Sequence, residues 1–176
     1  MKLNKLIKLK NTDNLIKIRI LIEYFDLAKS SYDTYREYLQ KWLKHDTKEL
    51  KLKSIASMCG LYSSGRICFL ITRSINEQIK TTEMQTIRND YEKWANNFIN
   101  FRNDFGAHPL NKEAGYFSRI ASFGNEKPQL EIETRNIETY DVVKCYNLCP
   151  KEDIEKLYEY LDKLSGIYKK EWKSIL

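Results

Sequence analysis

The sequence predicts an all-α protein: a single domain built as an up-and-down bundle of four to five helices, with a loop or small hairpin inserted between the third and last long helices. Three observations predict it. Four long segments space their apolar residues by three or four, the signature of one buried helix face. Only six Gly and three Pro occur in 176 residues, which argues against many short strands and tight turns. A chain of that length also buries a core without disulfide or metal staples.

The first helix is expected from about Leu15 to Leu43, where Ile18, Ile22, Phe25, Tyr32, Tyr35, Leu39 and Trp42 form one stripe. The second runs from about Leu52 to Ile79, with a rougher stripe of Ile55, Cys59, Tyr62, Phe69, Ile71 and Ile75 and with Gly60 and Gly65 as expected bends. The third, Glu83 to Phe105, is the most regular: Met84, Ile87, Tyr91, Trp94, Phe98, Phe101 and Phe105 alternate steps of three and four. The fourth starts at Pro150, a favoured first helical residue, and carries Glu152 and Asp153 where the helix dipole welcomes acids. Ile154, Leu157, Leu161, Leu164 and Tyr168 form its stripe. The tyrosines at helical spacing (Tyr24, Tyr35, Tyr158, Tyr168) read as rim-of-core residues, with base-stacking platforms as the alternative.

Residues 109–148 differ in kind. Tyr116 to Phe123 and Leu130 to Ile137 alternate weakly, and Gly124-Asn125 between them suits a hairpin turn, with an irregular loop as the rival. Asp141 to Tyr146 reads as a short helix leading into the last one. The whole of 1–176 is expected to be one domain, with 109–148 as an irregular insert.

Charge narrows the partners. The net charge is +6. Residues 1–53 hold 13 Lys/Arg against 7 Asp/Glu, and the remainder holds 17 against 17, so the whole excess lies in the first third. A basic segment beside a neutral body suits an acidic partner such as RNA or DNA, although a solvated helix face explains the same lysines. Lys2, Lys5, Lys8 and Lys10 form a basic arm. No apolar run approaches the ~20 residues of a membrane span, and no signal peptide is evident, so a cytoplasmic protein without membrane contact is expected. Cys59, Cys68, Cys145 and Cys149 form no CxxC pair and have no His nearby in sequence. No metal site or cofactor is expected from them, and reduced thiols fit best.

Phosphate loops, GxSxG and HExxH are missing. Histidine is scarce. His45 sits among charged residues near the end of the first helix and reads as a surface residue. His108 closes the string Phe101-Arg102-Asn103-Asp104-Phe105-Gly106-Ala107-His108-Pro109. Arg102 follows Phe98 by four residues, on or beside the apolar stripe. Six residues, about 240° on a straight helix, separate Arg102 from His108. Gly106 permits a change of direction and Pro109 disfavours helix at His108, so a break near Gly106 lets the imidazole swing back toward the guanidinium. A fixed cation and a titratable base in one cleft suit cleavage of RNA. The 2'-OH must lose a proton, the leaving 5'-oxygen must gain one, and the phosphorane charge needs a donor fork. One chain supplies one such His while the reaction needs a base and an acid, so a composite site at a two-fold homodimer interface is expected.

Arg102-Asn103, followed after four residues by His108 within an AHP string, resembles the Arg-polar-x(3–4)-His signature of HEPN domains. That resemblance implies a compact bundle of four or five helices with the motif toward the end of a core helix. It implies a metal-independent endoribonuclease that acts as a dimer, leaves 2',3'-cyclic phosphate ends and serves as a toxin or phage-defence effector, with an antitoxin or other regulatory partner in view. Arg102 and His108 would then be catalytic and Asn103 the assisting polar residue, with Asp104 a further candidate. The helical likeness covers residues 15–108 and 150–175. Glu77 is a candidate partner for Arg102. Arg66 and Arg73, seven apart on one face of the second helix, are candidates for an RNA channel, with plain surface positions as the alternative. Two other readings stay open: a non-catalytic nucleotide- or RNA-binding regulatory module, and a helical interaction protein in which Arg102 snorkels from the core and His108 caps the helix.

Overall fold

The structure is a computed structural model that describes residues 12–79, 81–101, 110–111, 115–124 and 129–173. Four helices carry it: α1 (Thr12–His45), α2 (Lys48–Asn76), α3 (Thr82–Asn100) and α4 (Pro150–Lys173). Local chemistry sets their ends. Asp46, in the left-handed region at φ 43°, closes α1. Its carboxylate accepts from Trp42 Nε1 at 2.9 Å. Thr47 then caps α2 by accepting from the Leu50 amide, and Thr81 caps α3 by accepting from the Met84 amide.

Cross-links between helices give their directions. Asn14 bonds Gln78 and Lys17 bonds Ser74, so α1 and α2 form an antiparallel pair. Phe98 packs on Tyr62 while Trp94 packs on Phe69, so α3 runs against α2. Tyr62 meets Asp153 and Asn76 meets Tyr168, so α4 runs with α2. The helices therefore go up, down, up and down. Ile18, Leu21, Leu61, Phe98, Leu157 and Leu161 are among the fully buried residues at the centre.

The all-α expectation is corrected in the insert. It holds a four-stranded antiparallel sheet in the order β1 (Leu110–Asn111), β2 (Tyr116–Phe123), β3 (Leu130–Asn136) and β4 (Val142–Leu148). It is a meander rather than a loop or a lone hairpin, so the label of irregular insert falls too. Of the segment read as a short helix at 141–146, residues 142–146 lie in β4, where Cys145 pairs with Glu133. β-branched Val142 and Val143 favour that state. The sheet turns Leu130, Ile132 and Leu148 into the core. Phe123 packs at 5.2 Å on Trp42 and at 6.4 Å on Tyr35 of α1, so a lone hairpin's marginal stability does not arise.

α2 runs without interruption through Gly60 and Gly65. Gly65 is where the Phe98 ring docks: a Cβ there would lie 2.2 Å from Phe98 Cε1. Tyr35 and Tyr168 are fully buried rather than on the rim, while Tyr158 is 47% exposed. By length and hydropathy α2 reaches the range of a membrane-crossing helix. In this fold its apolar face, including Met58, Leu61 and Ile75, belongs to the core.

Candidate nucleic-acid interface

α3 is held from beneath by a buried carboxylate. Asp153, on the first turn of α4, is 3% exposed. Its two oxygens accept from Tyr62 Oη at 2.6 Å and from Trp94 Nε1 at 2.8 Å. Asn97 is a further hydrogen-bond partner. Burial pushes the Asp153 carboxyl above its ordinary value, and the hydrogen bonds from Tyr62, Trp94 and Asn97 oppose that push. Burial first, and then the neighbouring carboxylate, drive the Tyr62 hydroxyl well upward, so it stays protonated and donates. Tyr62 also stacks on Phe101, ring centroids 4.7 Å apart. One residue of α4 thus ties α2 to α3 at the end where α3 stops.

Between α2 and α3 lies a cleft of about 630 Å³, counting the space open to solvent. α2 contributes Phe69, Arg73 and Asn76 to it, and α3 contributes Arg88, Glu92, Ala95, Asn96 and Ile99. Arg88, Glu92, Ala95 and Ile99 step by three and four, with Asn96 beside Ala95, so one helix face forms the wall. Tyr91 and Tyr160, with centroids 5.2 Å apart, close the floor beside Phe69. Ala95 leaves the depth that a larger side chain would fill. Among the described residues, Arg88 makes no hydrogen bond or ion pair. The link from Arg73 Nε to Glu77 is a 3.7 Å pair between exposed side chains, worth little in water.

A second hollow, between α1 and α4, has the opposite character. It is lined by Phe25, Tyr32 and Tyr158 together with Asp26, Asp33 and Glu155, against the single cation Lys29. Of the two, the α2–α3 cleft is the one suited to an anion.

The residues singled out from the sequence fall as follows. Arg66 is half-buried on α2, and its Nε is buried with no hydrogen-bond partner. Arg73 is exposed and lines the cleft. Glu77 sits exposed just beyond α2, where it caps the helix end and pairs with Arg73. Arg102, Asn103, Asp104 and His108 lie outside the described residues, as do Lys2, Lys5, Lys8 and Lys10, so the expected pair of Glu77 with Arg102 does too. His45 is exposed in the last turn of α1. All four cysteines are free thiols. Among the described residues no three His, Cys, Asp or Glu side chains converge as metal ligands.

Sequence reasoning missed two residues. Arg88 is legible in hindsight, since it shares a helix face with Glu92, Ala95 and Ile99. Asp153 was read only as an acid favourable to the helix dipole in the first turn of α4, and nothing local marks it as buried. No protein-family model, curated protein or solved structure matches this chain.

Proposed function

We propose that this chain is a metal-independent endoribonuclease of the HEPN type, working as a homodimer in growth arrest or phage defence. The observation that carries the reading is the α2–α3 cleft. It is edged by Arg73 and Arg88, and its α3 wall reaches Ile99, three residues before Arg102 in the sequence. The buried stack of Phe101 on Tyr62 gives the preceding residue a fixed seat, which suits a site that must hold a guanidinium steady.

In this reading one His108 imidazole takes the proton from a ribose 2'-OH, and the 2'-oxygen attacks the adjacent phosphorus. The bond from phosphorus to the 5'-oxygen breaks, and the second copy's imidazolium protonates that oxygen. Arg102 donates to the phosphorane oxygens as their charge grows, with Asn103 orienting and Asp104 beside it. The products are a 2',3'-cyclic phosphate and a 5'-hydroxyl.

The test is to incubate purified protein with mixed RNA in excess EDTA and to analyse the ends formed. Cleavage giving cyclic phosphate ends, lost in His108→Ala and in a folded Arg102→Ala, is the expected result. Cleavage that persists in His108→Ala overturns the mechanism, and binding without turnover by the parent chain makes it a regulatory RNA-binding module instead.

A further inference from the structure

We propose that the α2–α3 cleft is a nucleotide subsite. It would take one unstacked nucleotide of a single-stranded RNA, with its phosphates on Arg73 and Arg88 and its base over the apolar floor. The proposal rests on the reading above only for its substrate class, RNA.

Shape and charge point to it. The two arginines stand on opposite walls, one on α2 and one on α3. Between them the surface is apolar: Ala95, Ile99 and the edges of Phe69, Tyr91 and Tyr160. A simple anion would use the cations and leave the floor unused. An apolar peptide would use the floor and leave the Arg88 guanidinium to be desolvated without a partner. A nucleotide satisfies both, because it joins an anionic edge to a flat ring with π faces.

The polar groups at the lip divide the work. Asn76 Oδ1 already accepts from Tyr168 Oη at 2.6 Å, so Asn76 is wall rather than reader. Asn96 and Glu92 are both exposed and offer donors and acceptors to a base edge. Arg66, with its orphaned Nε, lies seven residues from Arg73 on α2 and marks the direction in which the strand would continue. Duplex RNA keeps its base faces stacked and would not enter.

The experiment uses the full chain carrying His108→Ala, so that bound RNA is not cut, and a fluorescein-labelled single strand of about 12 nucleotides titrated across a KCl series. Arg88→Ala is expected to weaken binding about fivefold or more and to lower the salt slope by roughly 0.7, the value for one phosphate contact on a single strand. Asn96→Trp places a ring over the cleft from an exposed helical position. It is expected to weaken binding by a similar factor and leave the slope unchanged. Lys156→Ala, on α4, serves as the control and should stay within about twofold, since it changes charge but not the cleft.

Parent-level binding by both cleft variants, or no binding by the His108→Ala parent, overturns the subsite. The EDTA cleavage assay on unmodified protein separates the two claims. Cleavage with indifferent cleft variants removes the subsite alone. Cleft-dependent binding with no cleavage removes the catalytic reading and leaves the subsite in place.

Discussion

Phe101 lies nearly face to face with Tyr62, ring centroids 4.7 Å apart and planes at 30°. Both rings are fully buried. The same Tyr62 donates its hydroxyl to Asp153 at 2.6 Å. The last described residue of the α3 segment is therefore fixed by a ring whose own tilt is fixed by a buried carboxylate on another helix.

Tyr62→Phe separates the two contacts. It keeps the stack and removes one donor from a buried carboxylate. Hydrogen bonds to charged groups contribute about 1.5–3 kcal/mol, and a loss in that range is expected in urea unfolding. Phe101→Ala should cost more, about 3–5 kcal/mol, because it empties ring volume from the core. A Tyr62→Phe variant as stable as the parent would remove Asp153 from its assigned role.

Gly65→Ala tests the close approach of α2 and α3. The added methyl would lie 2.2 Å from Phe98 Cε1, and that ring is hemmed by Trp94 at 5.3 Å and Phe69 at 5.4 Å. Overpacking of this kind costs about 1–3 kcal/mol. Gly60→Ala should be milder. Its nearest neighbour is the terminal Ser31 Oγ, at 2.7 Å, which can rotate away. Thermal unfolding of the two variants side by side gives the order, and equal stabilities would contradict it.

The pH dependence of stability should carry the mark of Asp153. Burial raises its carboxyl in the folded state above the unfolded value of 3.8. A folded state that binds its proton more tightly gains stability as the solution is acidified. That gain is complete below 3.8 and is lost as pH rises through the raised folded value. Asp153→Asn does not titrate, and the other carboxylates cancel between the two proteins. The urea midpoint of the parent relative to Asp153→Asn should therefore shift in the parent's favour as pH is lowered from 7. A shift the other way would mean that the hydrogen bonds from Tyr62, Trp94 and Asn97 outweigh desolvation.

The proposed composite site would make cleavage depend on assembly. Light scattering on active protein should report roughly twice the 21.0 kDa chain mass. The rate per chain should fall on dilution below the concentration at which that species dissociates. A constant specific rate in a solution shown to be monomeric would contradict the shared site.

The helical frame was legible because its information is local. In α4 each of Ile154, Leu157, Leu161, Leu164 and Tyr168 is buried, as its spacing requires. β2 and β3 stood out by alternation, and both occupy nearly the stretches expected, Tyr116–Phe123 and Leu130–Asn136. β4 was misread because 142–148 has no clean period of its own, and its state is decided by pairing with β3. The close contact of Gly65 with Phe98 was not legible, because that ring lies on another helix. Asp153 read only as a first-turn acid, because its partner Tyr62 is 91 residues away. For the candidate site, the sequence marked Arg66 and Arg73 but not Arg88, whose partner wall exists only once α2 and α3 meet. Arg102 and His108 remain readings of the motif.

The bond between Tyr62 and Asp153 also orders events during synthesis. The α1–α2 pair joins neighbours along the chain and can close early. The seat for α3 needs a side chain made 91 residues after Tyr62. While the ribosome is still upstream of that point, the nascent chain lacks the brace beneath Phe101. The seat at the end of α3 would stay unassembled beside the translation machinery until the last long helix had emerged.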